Sequence, residues 1–113
     1  MKAIAYIRGQ EAELQKAEIK KYCIVNAIKL NKIFQDGKES GISDDRKGLK
    51  EMFKYISENK IDLVVIYKAE KLYRDIEKLI KIITDLKRKE IDLAIIENEK
   101  IEYLSNILEQ LYY

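Results

Sequence analysis

Histidine and proline are absent from this 113-residue chain, cysteine occurs once, and there are only four glycines. Each scarcity excludes something. Without histidine the chain lacks the usual general base near neutral pH and the commonest metal ligand. No set of Cys, Asp or Glu has metal-ligand spacing either, so neither a metal nor a cofactor is expected. A lone Cys23 rules out an internal disulfide and fits a reducing, cytoplasmic setting. The lack of proline and the few glycines predict long regular elements with short connections. No apolar stretch approaches the roughly 20 residues of a membrane-spanning helix. Residues 1–4 lead straight into a strand-like run without the pattern of a signal peptide, and no membrane partner is expected. The net charge of +2 is too small to indicate nucleic-acid binding by itself.

What remains is ample for a core. Hydrophobic residues make up 47% of the chain and charged residues 37%, at a length typical of one domain. Residues 3–7 read as a buried strand, and a helix is expected over 11–27 with Leu14, Ile19, Tyr22, Cys23 and Ala27 on one face. A short strand over 32–35 is followed by a turn-rich segment, 36–45. A second helix is expected over 46–58, facing inward through Leu49, Met52, Phe53 and Ile56. The run 61–67 is nearly all apolar, as a central parallel strand covered on both faces requires. A helix over 76–89 carries Ile76, Leu79, Ile80, Ile83 and Leu86. A strand over 91–96 and a short helix over 101–112 complete the chain. Strands alternating with helices predict an α/β fold. Its open, mainly parallel sheet has four or five strands, with helices on both faces.

In such sheets ligands meet the loops at the C-terminal ends of the strands. The first of these loops holds Arg8, Gly9 and Gln10; the second holds Asp36, Ser40 and Arg46; the third holds Lys68, Glu70, Lys71 and Arg74. If the strands are neighbours, five basic side chains face one space, and arginine's planar fork suits a phosphate or phosphodiester. The competing reading is of solvated loop charges, some paired with Asp36, Asp45, Glu70 or Asp75. Tyr6 and Cys23 read as packing residues, and the hydroxyls of Ser40 and Ser43 as turn formers. The first loop lacks the glycines of a Rossmann or P-loop site. It also lacks the acids of a phospho-receiver and the Ser/Thr-rich phosphate loop of a flavodoxin.

Taken in order, the three loops resemble the catalytic domain of the serine recombinases, the resolvase/invertase family, over about residues 2–100. Tyr6-Ile7-Arg8-Gly9-Gln10, with Gln15 beyond, is similar to the family's opening Tyr-x-Arg-Val-Ser. Asp36, Ser40, Gly41, Arg46, Gly48 and Leu49 are similar to its middle Asp-x-x-x-Ser-Gly, Arg and Gly-Leu. Glu70-Lys71-Leu72-Tyr73-Arg74 is similar to its Asp-Arg-Leu-x-Arg. The resemblance implies a three-layer resolvase-like fold and site-specific DNA strand exchange in a mobile element. In the family a serine attacks the DNA phosphodiester while arginines hold the phosphate. By position the phosphate-binding arginines are Arg8, Arg46 and Arg74. Tyr6, Asp36 and Ser40 organise the loops, and Glu70-Lys71 replace an Asp-Arg pair.

The sequence departs from the family where it matters most. Gln10 stands at the nucleophile position, and an amide cannot form the phosphoester. Lys71 offers a point charge in place of a fork. The segment between Gln10 and Gln15 is shorter than the family's nucleophile loop. The terminal helix, about 18 Å at roughly 1.5 Å per residue, is shorter than the family's long dimerisation helix. Its stripe Ile101, Leu104, Leu108 and Leu111 has the spacing of a coiled-coil seam and suits a dimer contact. The expected domains are therefore 1–100, resolvase-like, and 101–113, a short helix read as a truncated dimerisation element. Three functions compete. The first is a recombinase domain that has lost cleavage and keeps the fold, with dimerisation or weak DNA binding as its remaining role. The second is an active recombinase using Ser40 or Tyr6 as nucleophile. The third is an interaction module: a dimerisation or regulatory domain that pairs with itself or with an intact recombinase, or an unrelated α/β binding domain.

Overall fold

The computed structural model describes residues 1–37 and 46–97. Four parallel strands form one sheet: β1 (Lys2–Arg8), β2 (Lys29–Asp36), β3 (Leu63–Ile66) and β4 (Asp92–Ile95), in the spatial order β2-β1-β3-β4. Four helices connect them: α1 (Ala12–Val25), α2 (Lys47–Glu58), the single turn α3 (Ala69–Leu72) and α4 (Ile76–Arg88). This is the expected open parallel α/β sheet. The segment 101–112 and its stripe Ile101, Leu104, Leu108 and Leu111 lie outside the described residues, as does Ser40.

The two faces of β1 explain the layers. Ala3, Ala5 and Ile7 pack with Leu63, Val65 and the α1 residues Ile19 and Cys23. Ile4 and Tyr6 point the other way, into a larger cluster with Phe34, Val64 and Ile66. The inner faces of α2, α3 and α4 complete that cluster. One helix thus covers one face and three cover the other, which is why both central strands are apolar on both sides.

Several expected boundaries and faces move. Leu14 is 44% exposed, and the inner face of α1 is Gln15, Ile19 and Cys23. Ala27 lies beyond that helix, at φ 54. It closes a Schellman end in which Ile28 N–H donates to Cys23 O at 2.8 Å and Ala27 N–H to Ile24 O at 3.2 Å. Glu90, at φ 60, closes α4 in the same way. With glycine scarce, ordinary residues take left-handed positions that favour it. β2 is twice the expected length. An extra residue, Asn31, bulges between the pairs Ala3–Leu30 and Ile4–Lys32 and interrupts the alternation that marks a strand. On α4, Ile76 is 42% exposed and Ile82 is buried instead. The connection after β3 holds the helical turn α3, too short to carry a periodic signal.

Gly48 is where α2 meets the sheet. A Cβ there would sit 2.5 Å from the Gln35 carbonyl oxygen and 3.0 Å from Asp36 Oδ1. Backbone cannot give way cheaply, so only glycine lets the helix start so close to β2. Gly48→Ala is expected to destabilise the fold by about 1–3 kcal/mol in urea denaturation, the range for overpacking. Gly37→Ala, where a Cβ meets nothing within 4 Å, should stay within about 0.5 kcal/mol of the parent.

Candidate functional site

The order β2-β1-β3-β4 places a switch point between β1 and β3, because the chain leaves β1 toward β2 and returns past it to β3. Crevices at such points, at the C-terminal ends of the strands, are where open α/β sheets bind ligands. The loops after Arg8, Asp36 and Ile66 all leave the sheet on that edge.

Asp36 organises the middle of the edge. Its carboxylate accepts a hydrogen bond from Tyr6 Oη at 2.5 Å, from Gly48 N–H at 2.6 Å and from Leu49 N–H at 3.0 Å. Arg46, the residue at the start of α2, provides no side-chain cap. Asp36 supplies the cap from across the fold, taking two amide protons that have no partner within the helix and meeting the positive end of its dipole. Burial, then the bond to Asp36, pushes the Tyr6 hydroxyl well above the ordinary tyrosine range. The guanidinium groups of Arg46 and Arg8 oppose that shift and so lie within electrostatic reach of Tyr6.

The first loop is held by Gln15. Its amide donates to Arg8 O at 3.0 Å and to Gln10 O at 2.8 Å, and accepts from Arg8 N–H at 3.3 Å. Gly9, at φ 77, makes the turn and donates its N–H to Asp36 O at 3.1 Å, joining the first loop to β2. Glu11 follows at φ 62, an unfavourable conformation for a residue with a Cβ. Gln15 is fully buried. The signal for it is a polar residue spaced by fours with Ile19 and Cys23 on one helix face. Arg8 is half-buried, while the Gln10 side chain is exposed.

The other cations divide. Arg46 is only 5% exposed, its guanidinium carbon 3.9 Å from the centroid of the Tyr73 ring. Arg74, the next residue along, is exposed, and Asp75 caps α4 by accepting from Glu77 N–H at 2.9 Å. Lys71 is half-buried and Glu70 exposed. Lys68 does not join the others: it pairs with Glu97 beyond β4, Nζ to Oε2 3.0 Å. That hydrogen bond raises the ammonium above the ordinary lysine value. An exposed pair of this kind contributes little stability. Burial pushes the Cys23 thiol up, which suits a packing residue rather than a nucleophile. Among the described residues no group of His, Cys, Asp and Glu is arranged to hold a metal, and no helix is long and apolar enough to cross a membrane.

The raised Tyr6 pKa has a definite sign. The folded protein keeps a proton that the unfolded chain releases near the ordinary tyrosine value of about 10. The associated stability is whole below that pH and is lost as pH rises toward the folded value. Tyr6→Phe should cost about 1–3 kcal/mol near neutral pH, because Asp36 loses a buried donor. Denaturation from pH 9 to 11.5 should show the parent losing stability more steeply than Tyr6→Phe, by up to about 1.4 kcal/mol per pH unit.

The sequence matches the model of the family described as "Resolvase, N terminal domain" over residues 3–112. No curated protein matches it. Among solved structures, the N-terminal catalytic domain of TP901-1 integrase superposes with a TM-score of 0.82 at 22% identity, covering 100% of both chains. A resolvase family site-specific recombinase from Streptococcus pneumoniae gives 0.78 at 18% identity, over 99% of this chain and 88% of that one. The C-terminal catalytic domain of ISC1926 TnpA, an IS607-like serine recombinase, gives 0.74 at 20% identity, over 97% and 80%. The fold is that of serine recombinase catalytic domains, and the chain belongs to the resolvase N-terminal domain family.

Proposed function

We propose that this domain holds a DNA phosphodiester at its strand-end arginines but does not cut it by the family's serine route. The observation that carries the reading is Gln10. It follows Tyr6-Ile7-Arg8-Gly9 at the end of β1, in the position that corresponds to the attacking serine, and its carbonyl is tied to Gln15 at 2.8 Å. An amide side chain has no nucleophilic oxygen to form the phosphoester. In this reading Arg8, Arg46 and Arg74 are the phosphate-binding groups, and Lys71 adds a point charge. Tyr6, Asp36, Ser40 and Glu70 organise the loops. The names integrase, TnpA and site-specific recombinase borne by similar structures support a DNA partner within a mobile element. The domain spans 1–100, and 101–113 supplies a contact through Ile101, Leu104, Leu108 and Leu111 to a second copy or a partner recombinase in the cytoplasm. Cleavage by Tyr6 is disfavoured by its burial and its short bond to Asp36. A hydroxyl must be accessible and readily deprotonated to attack.

Incubation with supercoiled and nicked DNA, then boiling in detergent, should leave no covalent protein–DNA species. An adduct mapped by mass spectrometry to this chain would overturn the loss of cleavage. Arg8→Ala and Arg74→Ala should each weaken DNA binding uniformly across sequences and reduce its dependence on salt. If the parent binds no DNA at any salt concentration, the phosphate reading fails and an interaction module takes its place.

A further inference from the structure

Arg46 and Tyr73 come from different loops, yet the guanidinium carbon sits 3.9 Å from the ring centroid. Arg46 precedes α2, whose first amides Asp36 holds. Tyr73 follows α3 in an extended conformation, one residue before Arg74 and two before the α4 cap Asp75. The ring also lies 5.7 Å from Lys78 Nζ. Arg46 and Tyr73 together line an open groove of about 540 Å³ between α2 and α4, with Lys50, Lys78 and Lys81 among its other lining residues. An arginine with five in-plane N–H donors can stack on a ring through its face and still present its edge to an oxygen. Stacking also compensates for taking the cation out of water.

We infer that Tyr73 is a positioning residue for Arg46. Its ring fixes the plane of the guanidinium, and with it the direction from which a phosphate oxygen is met. It also couples the cation of the second loop to Arg74 of the third. Tyr73 stands at the position between Leu72 and Arg74 for which the three-loop resemblance names no residue type. The inference rests on the reading that Arg46 binds phosphate, and the test separates the two.

The binding of a short mixed-sequence DNA duplex is titrated at several salt concentrations for the parent, Tyr73→Phe, Tyr73→Leu and Arg46→Ala. The Arg46 Nε–H resonance is followed by NMR in the variants that keep it. A guanidinium over a ring has a proton signal displaced upfield by the ring current. Tyr73→Phe should keep that displacement and the parent affinity. Tyr73→Leu should lose both, and the slope of log K against log salt should fall by about 0.9, one phosphate contact. Parent-like affinity and slope in Tyr73→Leu, alongside a loss in Arg46→Ala, would overturn the inference. If Arg46→Ala binds DNA as the parent does, the phosphate reading fails alone and NMR decides. Displacement kept in Tyr73→Phe and lost in Tyr73→Leu upholds positioning, and displacement surviving in Tyr73→Leu refutes it. Tyr73→Gln replaces Tyr73→Leu should the latter not fold.

Discussion

One carboxylate holds the C-terminal edge of this sheet together. Asp36 ends β2, accepts a hydrogen bond from the hydroxyl of β1's Tyr6 and takes the amides of Gly48 and Leu49 in the first turn of α2. Its two oxygens thus satisfy three donors from two elements, β1 and α2, in a buried setting, where an unmet donor is costly. The rest of the edge follows from that tie. Drawing α2 against β2 requires Gly48. Fixing the start of α2 fixes Arg46, and Arg46 lies on Tyr73, which brings the connection between α3 and α4 to the same place. The Asp36 backbone carbonyl receives Gly9 N–H, so the first loop is tied to the same residue.

The architecture was legible because buried parallel strands must be apolar on both faces, and residues 3–7 and 63–66 are. The amphipathic stripes of α2 and α4 were nearly as plain. What escaped has physical reasons. Counting apolar residues cannot find Gln15, whose place on the inner face is decided by carbonyls of a loop that precedes it. The bulge at Asn31 hid half of β2, since alternation is lost where two residues oppose one. Asp36, Arg46 and Gly48 could be picked out as a pattern by likeness to a family. Their physical roles could not be read that way, because a helix cap from 12 residues away and a cation buried on a ring are facts of packing. The five gathered cations were too simple a picture: Lys68 is drawn to Glu97 at the far side of β3.

On the proposed function, the site separates two tasks that a catalytic centre usually joins. Holding a phosphate calls for preorganised donors, and the loops that carry Arg8 and Arg46 are tied down by Gln15 and Asp36. Attack calls for one accessible, easily deprotonated oxygen. Gly9, Glu11 and Gln15 spend the first loop's conformational freedom on a compact turn. The hydroxyl of Tyr6, on the strand that leads into that loop, is committed to a carboxylate.

The bulge in β2 has a consequence outside the site. Among the described residues β2 and β4 bound the sheet. β4 has four residues, whereas β2 has eight and, among the described residues, has no neighbouring strand on one side of its backbone. A long open edge is a template on which another chain can add a strand. Here the Asn31 bulge breaks its regularity. Lys29 and Lys32 place exposed charge along it, the latter ammonium resting 5.1 Å from the Phe34 ring and 5.5 Å from that of Tyr55. Charge and a broken register on an edge strand oppose edge-to-edge aggregation, the hazard that a long, regular, proline-free edge carries.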